Sequence, residues 1–235
     1  MNITANRANS YSGTVKRSTA DIKYIVLHYT GNKTDSAMAN ANYFARQHDR
    51  KAGAHYFVDE NQVVQSVPDN VVAWSVGGAR QSKSGRTFYG KCTNRNSVSI
   101  EMCSTAGVIP YKTIKLAATL TAELMTKYNV PKERVIRHYD VTGKACPGWA
   151  GWLGSNAPEW KMFKDALGSN KGETPRGWNG KVTCNTLNVR KGPGTKYEIV
   201  RQIHANDVVT VTAQVNGFAQ IGYSEWVCTK YLRGV

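Results

Sequence analysis

DIKYIVLH, residues 21–28, is the stretch whose reading decides the fold. Tyr24, Ile25, Val26 and Leu27 make a β-prone apolar run of the kind that forms a buried strand. A strand buried in a sheet can present chemistry at its end, and this one ends on His28.

Downstream, SAMANANYFARQHDR (36–50) puts Ala37, Ala41, Phe44, Ala45 and His48 at helical spacing, with Thr34 or Asp35 available as N-cap. AHYFVD (54–59) and VVQSV (63–67), separated by a short turn, predict a β-hairpin. Residues 77–96 are Gly-rich, basic and without periodicity, which predicts a long loop of the kind that is often functional. SVSIEM (97–102) reads as a further strand. From Thr113 to Tyr128, the residues Ile114, Ala117, Ala118, Thr121, Leu124, Met125 and Tyr128 share one helical face, and Asn129 and Pro131 end the helix. RVIRH (134–138) predicts a short strand followed by an irregular loop to Gly154, and Pro158 opens a last helix that buries Trp160, Phe163 and Leu167.

Strands and helices interleaved over 21–167 predict an α/β domain with a mixed central sheet flanked by helices. Residues 168–180, GSNKGETPRGWNG, read as a linker. From Lys181 to Val235 short β-rich runs predict a small all-β domain of about five strands. The expected division is therefore 1–167, 168–180 and 181–235.

The formal net charge is +15, with 23 Lys+Arg against 13 Asp+Glu over residues 1–175 and 8 against 3 over 176–235. Both parts would face the same polyanion: nucleic acid, anionic lipid or an anionic wall polymer. No segment approaches the ~18 uninterrupted apolar residues of a membrane span, and MNITANRANSYSG lacks the apolar core of a secretory signal. The expectation is synthesis in the cytoplasm without a signal peptide. Five cysteines are an odd count and do not indicate a disulfide framework, although Cys184 and Cys228 fall in the same small domain.

His138 and Cys146 follow the strand RVIRH and offer an imidazole and a thiolate, both good zinc ligands. His28 supplies a third ligand of the right type, and three ligands with an open position describe a catalytic zinc. His48 and His55 compete for that role. Glu101, an acid within the buried run SVSIEM, is either a satisfied structural carboxylate or a general base. Lys144 is either solvated or placed to stabilise a developing oxyanion.

These residues, in this order, resemble the type 2 family of zinc-dependent N-acetylmuramoyl-L-alanine amidases, a family that includes phage lysins and shares its fold with peptidoglycan recognition proteins. The likeness covers about residues 20–165, through IVLHYT (25–30), AHYFVDENQVVQ (54–65), AWSVGG (73–78), NSVSIEM (96–102) and RHYDVTGKACPG (137–148). It implies Zn2+ held by His28, His138 and Cys146, with Glu101 and Lys144 as the catalytic pair. Tyr29 stands where many relatives carry a second His or Trp, and Ser75 where relatives commonly carry His.

TLNVRKGPGTKYEIVRQI (186–203) with WVCTKYL (226–232) resembles the bacterial SH3 domain, a small barrel that implies wall binding. Trp226, Tyr231 and Phe218 could serve its core or its ligand face. Together the resemblances imply an endolysin or autolysin acting on bacterial peptidoglycan, with the charge directed at a Gram-positive wall rich in anionic polymers rather than at nucleic acid. They further imply release through a holin-type lesion. Non-catalytic binding of peptidoglycan on the same fold is the alternative. The sequence carries no indication of oligomeric state.

Overall fold

The run that opened the sequence forms β2, Tyr24–Tyr29, and its apolar residues are fully or nearly fully buried. Around it the first unit of the chain builds a six-stranded sheet from β1 (Ile3–Ala5), β3 (Tyr56–Val58), β4 (Val63–Gln65), β5 (Ser97–Met102) and β6 (Val135–Arg137). The spatial order is β1-β4-β3-β5-β2-β6. β3 and β4 form the antiparallel hairpin that the sequence predicts, and every other pairing is parallel. The computed structural model describes residues 1–6, 8, 15–46, 51–154, 157–167, 178–211, 213–215, 217–222 and 225–235, and they fall into two compact units, Met1–Gly168 and Ser169–Val235.

Alternation along β2 gives the sheet two different faces. Tyr24 and Val26 point to one side and pack with Val76, Cys92, Ile136 and Val141. Farther along that side, Phe57 packs with Ala37 and Ala41 of α1 (Ala37–Ala45). The opposite face carries Ile25, Leu27, Ile100 and Met102, all fully buried. α2 (Tyr111–Tyr128) packs across β2, β3 and β5 and buries Thr113, Ala117, Leu120, Thr121 and Leu124. Of the face expected for this helix, Ile114, Ala118, Met125 and Tyr128 are only half-buried. The true stripe is rotated toward Thr113 and Leu120, because the sheet wraps that side of the helix.

Three local expectations need correction. The N-cap of α1 is Ser36, whose hydroxyl accepts from the Ala39 N–H at 3.2 Å. Asp35 is engaged instead by the Ser104 N–H and by the side chains of Asn32 and Asn40. The loop after β6 begins with a one-turn helix, α3 (His138–Thr142), stopped by Gly143 at φ 80°. It forms because the Asp140 carboxylate accepts from the Arg137 N–H and guanidinium. α4 (Pro158–Ala166) opens at Pro158 as expected; Phe163 and Leu167 are buried while Trp160 stays half-buried, stacked on Phe163.

Across the sheet from β5's carboxyl end, a polar cluster gathers at Asp69. Its buried carboxylate accepts from the Tyr56 hydroxyl at 2.8 and 3.0 Å, the Tyr128 hydroxyl, Lys127 Nζ at 3.0 Å and Gln65 Nε2 at 3.2 Å. Burial alone would raise this carboxyl, but the hydrogen bonds from Tyr128, Tyr56 and Lys127 outweigh it and hold the group below the usual carboxylate range. Arg17 reaches the same corner, donating from Nε to the Asp69 carbonyl at 2.9 Å and from its NH1 nitrogen to the carbonyls of Asn94, Arg95 and Ser97.

The second unit is all-β but richer than expected. Eight strands form a three-stranded sheet, β10-β7-β14, and a five-stranded sheet, β11-β12-β13-β8-β9, in which β7 spans Trp178–Val182, β8 Thr186–Arg190, β9 Ile199–His204, β10 Val208–Val211, β11 Ala213–Val215, β12 Phe218–Gly222, β13 Glu225–Cys228 and β14 Leu232–Gly234. Several are only three or four residues long. β7 starts at Trp178, inside the stretch read as linker; residues 168–177 lie outside the described residues. The core holds Val182, Leu187, Val189, Ile203, Val211, Ala219 and Val227, with Cys184 and Cys228 packed against it as free thiols. Trp226 is buried, Phe218 half-buried and Tyr231 exposed.

Truncating Asp69 leaves the Tyr56 hydroxyl buried without an acceptor, so Asp69→Ala should lower unfolding free energy by about 2–4 kcal/mol. A lowered native pKa means that Asp69 contributes stability above about pH 4, and that the contribution disappears as pH falls through the native value. Urea denaturation of both chains from pH 7 to pH 2 checks this: the stability gap should narrow toward acid.

Candidate metal centre

Strand register assembles the centre. β2 and β5 pair in parallel with His28 opposite Glu101, and β2 pairs with β6 with Leu27 opposite Arg137. Opposed residues in a parallel pair project to the same side of the sheet, so His28 and Glu101 leave it together. His138 follows β6 by one residue and stands beside His28. All three lie at the carboxyl ends of parallel strands, where open α/β sheets place their sites. Beyond α3 the chain doubles back, and the Tyr139 N–H donates to the Cys146 carbonyl at 2.9 Å, which returns Cys146 to the strand ends.

Potential ligand atoms of His28, His138 and Cys146 all lie within 4.8 Å of one another, and all three residues are buried. Cys146 Sγ is 3.6 Å from His28 Nδ1, and the two imidazole centroids are 4.8 Å apart. Glu101 Oε1 is 3.9 Å from His28 Nδ1. His28 Nε2, both ring nitrogens of His138 and Glu101 Oε2 are buried without a hydrogen-bond partner among the described residues. Unpaired buried polar atoms are costly, and their concentration on three neighbouring residues, two of which can offer ligand atoms within 4.8 Å of one another, suits a cation site.

The electrostatics agree. Burial, reinforced by His138 and Lys144, holds His28 well below its ordinary pKa, and burial with Lys144 brings His138 to about 4. Both imidazoles are therefore neutral and free to donate lone pairs. Burial pushes the Cys146 thiol up, and pushes Glu101 to about 8 against the opposing pull of Lys144. A divalent cation supplies the positive charge that a buried thiolate and carboxylate lack. Two imidazoles and one thiolate fit zinc, and three protein ligands leave a position open for chemistry. The residues present fit the ion.

Other candidates are placed apart. His55 is fully buried one pleat earlier, where the Ser99 N–H donates to its Nδ1 at 3.1 Å and its Nε2 meets the Val71 carbonyl at 3.1 Å. Burial and the Arg17 charge bring it to about 3, so it is a neutral structural histidine. His48 lies outside the described residues. Lys144 is exposed, two residues before Cys146.

Supporting contacts escaped the sequence reading. Asn94 Oδ1 accepts from the N–H groups of Ser75 and Val76 at 3.0 and 2.7 Å and so fixes the start of the 77–96 loop. Tyr29 packs edge-on against Trp149, and a Cβ at Gly148 would lie 2.4 Å from its hydroxyl, so that position requires glycine. The Ser75 hydroxyl is buried and unpartnered among the described residues. Nothing local in the sequence signals these contacts, because each joins segments brought together by the sheet.

Fold and centre together define a class: an α/β domain with three residues that could hold a metal ion at the carboxyl ends of its parallel strands. The family profile described as N-acetylmuramoyl-L-alanine amidase matches residues 18–149, and that of the bacterial SH3 domain matches residues 185–233. The chain belongs to the N-acetylmuramoyl-L-alanine amidase family. It is 34% identical over 184 residues to the N-acetylmuramoyl-L-alanine amidase CwlL of Bacillus licheniformis, covering 75% of this chain and 48% of that protein. A probable N-acetylmuramoyl-L-alanine amidase of the same organism is 37% identical over 132 residues, 54% of this chain and 37% of the relative. The chain thus spans about half the length, or less, of these curated relatives. Among solved structures, PlyL superposes with a TM-score of 0.59 at 26% identity, covering 73% of this chain and 99% of that one. The catalytic domain of XlyA gives 0.57 at 25%, covering 72% and 100%. The mixed sheet with flanking helices and the all-β second unit agree with these likenesses.

The arrangement predicts one tightly held zinc per chain, measured by elemental analysis after dialysis. His28→Ala, His138→Ala and Cys146→Ser should each lose it, whereas His55→Ala should keep it and lose thermal stability instead. Loss of zinc in His55→Ala alone would move the centre elsewhere.

Proposed function

We propose that the chain hydrolyses the amide bond between N-acetylmuramic acid and L-alanine in bacterial peptidoglycan. The observation that carries the reading is the convergence of His28, His138 and Cys146 beside a half-buried Glu101, one of whose carboxylate oxygens has no partner among the described residues. The two imidazoles and the Cys146 thiolate would hold Zn2+, which supplies Lewis-acid activation of water and of a carbonyl oxygen. Glu101 takes a proton from the attacking water and returns it to the leaving nitrogen of L-alanine, so that the glycan keeps a lactyl carboxylate and the stem peptide leaves with a free amine. Lys144 places a cation beside the oxygen that becomes negative as the carbonyl is attacked. A non-catalytic binder would have no use for this acid and base arrangement, which favours hydrolysis.

The remaining parts fit an endolysin or autolysin. Residues 181–235 act as the wall-binding SH3 domain of this reading, and residues 1–167 as the amidase. A net charge of +15 suits a Gram-positive wall rich in anionic polymers. No helix among the described residues is long and apolar enough to cross a membrane.

Digestion of purified peptidoglycan tests the chemistry, read as free L-alanine amino groups. Glu101→Gln should cut kcat by about 10²–10⁴ with zinc content unchanged, and Lys144→Ala by about 10². Cys146→Ser should lose zinc and activity together. Wild-type rates in Glu101→Gln, or release of reducing sugar in place of L-alanine amines, would refute the reading.

A further inference from the structure

His138 and Cys146 reach the candidate centre on two arms of one loop, and a buried arginine ties those arms together. Arg137 ends β6 and pairs with Leu27 of β2. Opposed residues of a parallel pair share a face, so Arg137 projects with Leu27, away from the face that carries His28. It is not among the residues that could hold the metal. Whatever it does for the centre passes through the segments it joins.

Those segments are the two arms. Arg137 Nε and NH2 donate to the two carboxylate oxygens of Asp140 at 3.0 and 2.7 Å, and NH1 donates to the Trp152 carbonyl. The guanidinium also lies over the rings of Tyr139 and Trp160, 5.1 and 5.2 Å from their centroids. Asp140 belongs to the outgoing arm, in α3, two residues after His138. Trp152 belongs to the returning arm, six residues after Cys146, and is fully buried against Trp149, Trp160 and Phe163. Inside this brace, the Gly143 N–H donates to the Tyr139 carbonyl and the Tyr139 N–H to the Cys146 carbonyl. These bonds secure the turn as far as Cys146, and Arg137 secures the arm beyond it.

A buried ion pair is a poor device for stability, since apolar residues of similar volume often serve as well or better. What Arg137 supplies is direction: a planar fork with fixed donor angles, which a lysine ammonium does not reproduce. Direction matters here because the ligand atoms of His138 and Cys146 lie within 4.8 Å of each other although they arrive on different arms. Metal affinity depends on the residues that orient the ligands from outside. We infer that Arg137, held by Asp140, is a positioning residue that fixes the spacing of His138 and Cys146 for metal binding. The inference rests on the metal centre of the proposed function.

Competition between the full chain and a chelator for Zn2+, together with the absorption spectrum of the Co2+-loaded chain, tests it. Arg137→Lys keeps the charge and loses the fork. It should weaken zinc binding by about 10–100-fold and diminish the thiolate-to-cobalt charge-transfer band, because Cys146 no longer meets the ion together with His138. Asp140→Asn keeps the side-chain size, should shift both readouts the same way, and carries the test should Arg137→Lys fail to fold. Asp69→Ala, destabilised through a cluster elsewhere in the same unit, is the control and should keep wild-type zinc affinity and cobalt spectrum. Wild-type affinity and spectrum in both brace variants, or an equal loss in Asp69→Ala, would overturn the inference. A wild-type chain that takes up neither ion would overturn the centre and the inference together. Brace-dependent metal binding in a chain that releases no L-alanine amines from peptidoglycan supports the inference and defeats the amidase reading alone.

Discussion

The parallel register between β2 and β5 is the constraint on which the rest depends. Six paired positions run from Tyr24 opposite Ser97 to Tyr29 opposite Met102, and they place His28 beside Glu101. A slip of one residue would turn either side chain to the opposite face, into the layer of Ile25, Leu27, Ile100 and Met102. The register is protected because that layer is fully buried and apolar, so the hydrophobic pattern that folds the sheet also aligns the chemistry. β6 adds His138 on the same side by pairing with β2.

The fold holds this arrangement at an energetic cost. Two neutral imidazoles, a raised thiol and a raised carboxyl stand close together, and four of their polar atoms have no hydrogen-bond partner among the described residues. None of this stabilises the chain in the absence of a cation, since burial penalises each ionised form and leaves lone pairs without donors. A divalent ion offsets these costs together, and its binding therefore couples to stability. The Asp69 cluster at another corner of the sheet contrasts with it: every lone pair it offers is met by a hydroxyl, amide or ammonium. One cluster is closed structure, while the other is built to receive something.

Much of this was legible in the residues. β2 was readable as a continuous apolar run, β5 as a strand, α2 by its period, and its end by Asn129, which adopts φ 50°. That His28, His138 and Cys146 could meet was legible through residue type, as reactive groups at the ends of predicted strands or in a loop, and the fold brings these three together. Contacts between distant segments were not legible. α3 is too short for a periodic signal and exists through the Arg137–Asp140 pair. β1 is only three residues long and exposed, so only its partner strand defines it. His55 looked like a ligand by type and is disqualified by its neighbours, Ser99 and Val71. Asn94, whose side chain secures the 77–96 loop, sits in a polar turn that gives no cue.

X-ray absorption at the zinc edge on the metal-loaded chain addresses the centre most directly. The account predicts one sulfur at about 2.3 Å and two imidazole nitrogens at about 2.0–2.1 Å, with the remaining scatterer a light oxygen atom. A spectrum without sulfur, or with two or more sulfurs, would contradict the assembly of His28, His138 and Cys146 into one site.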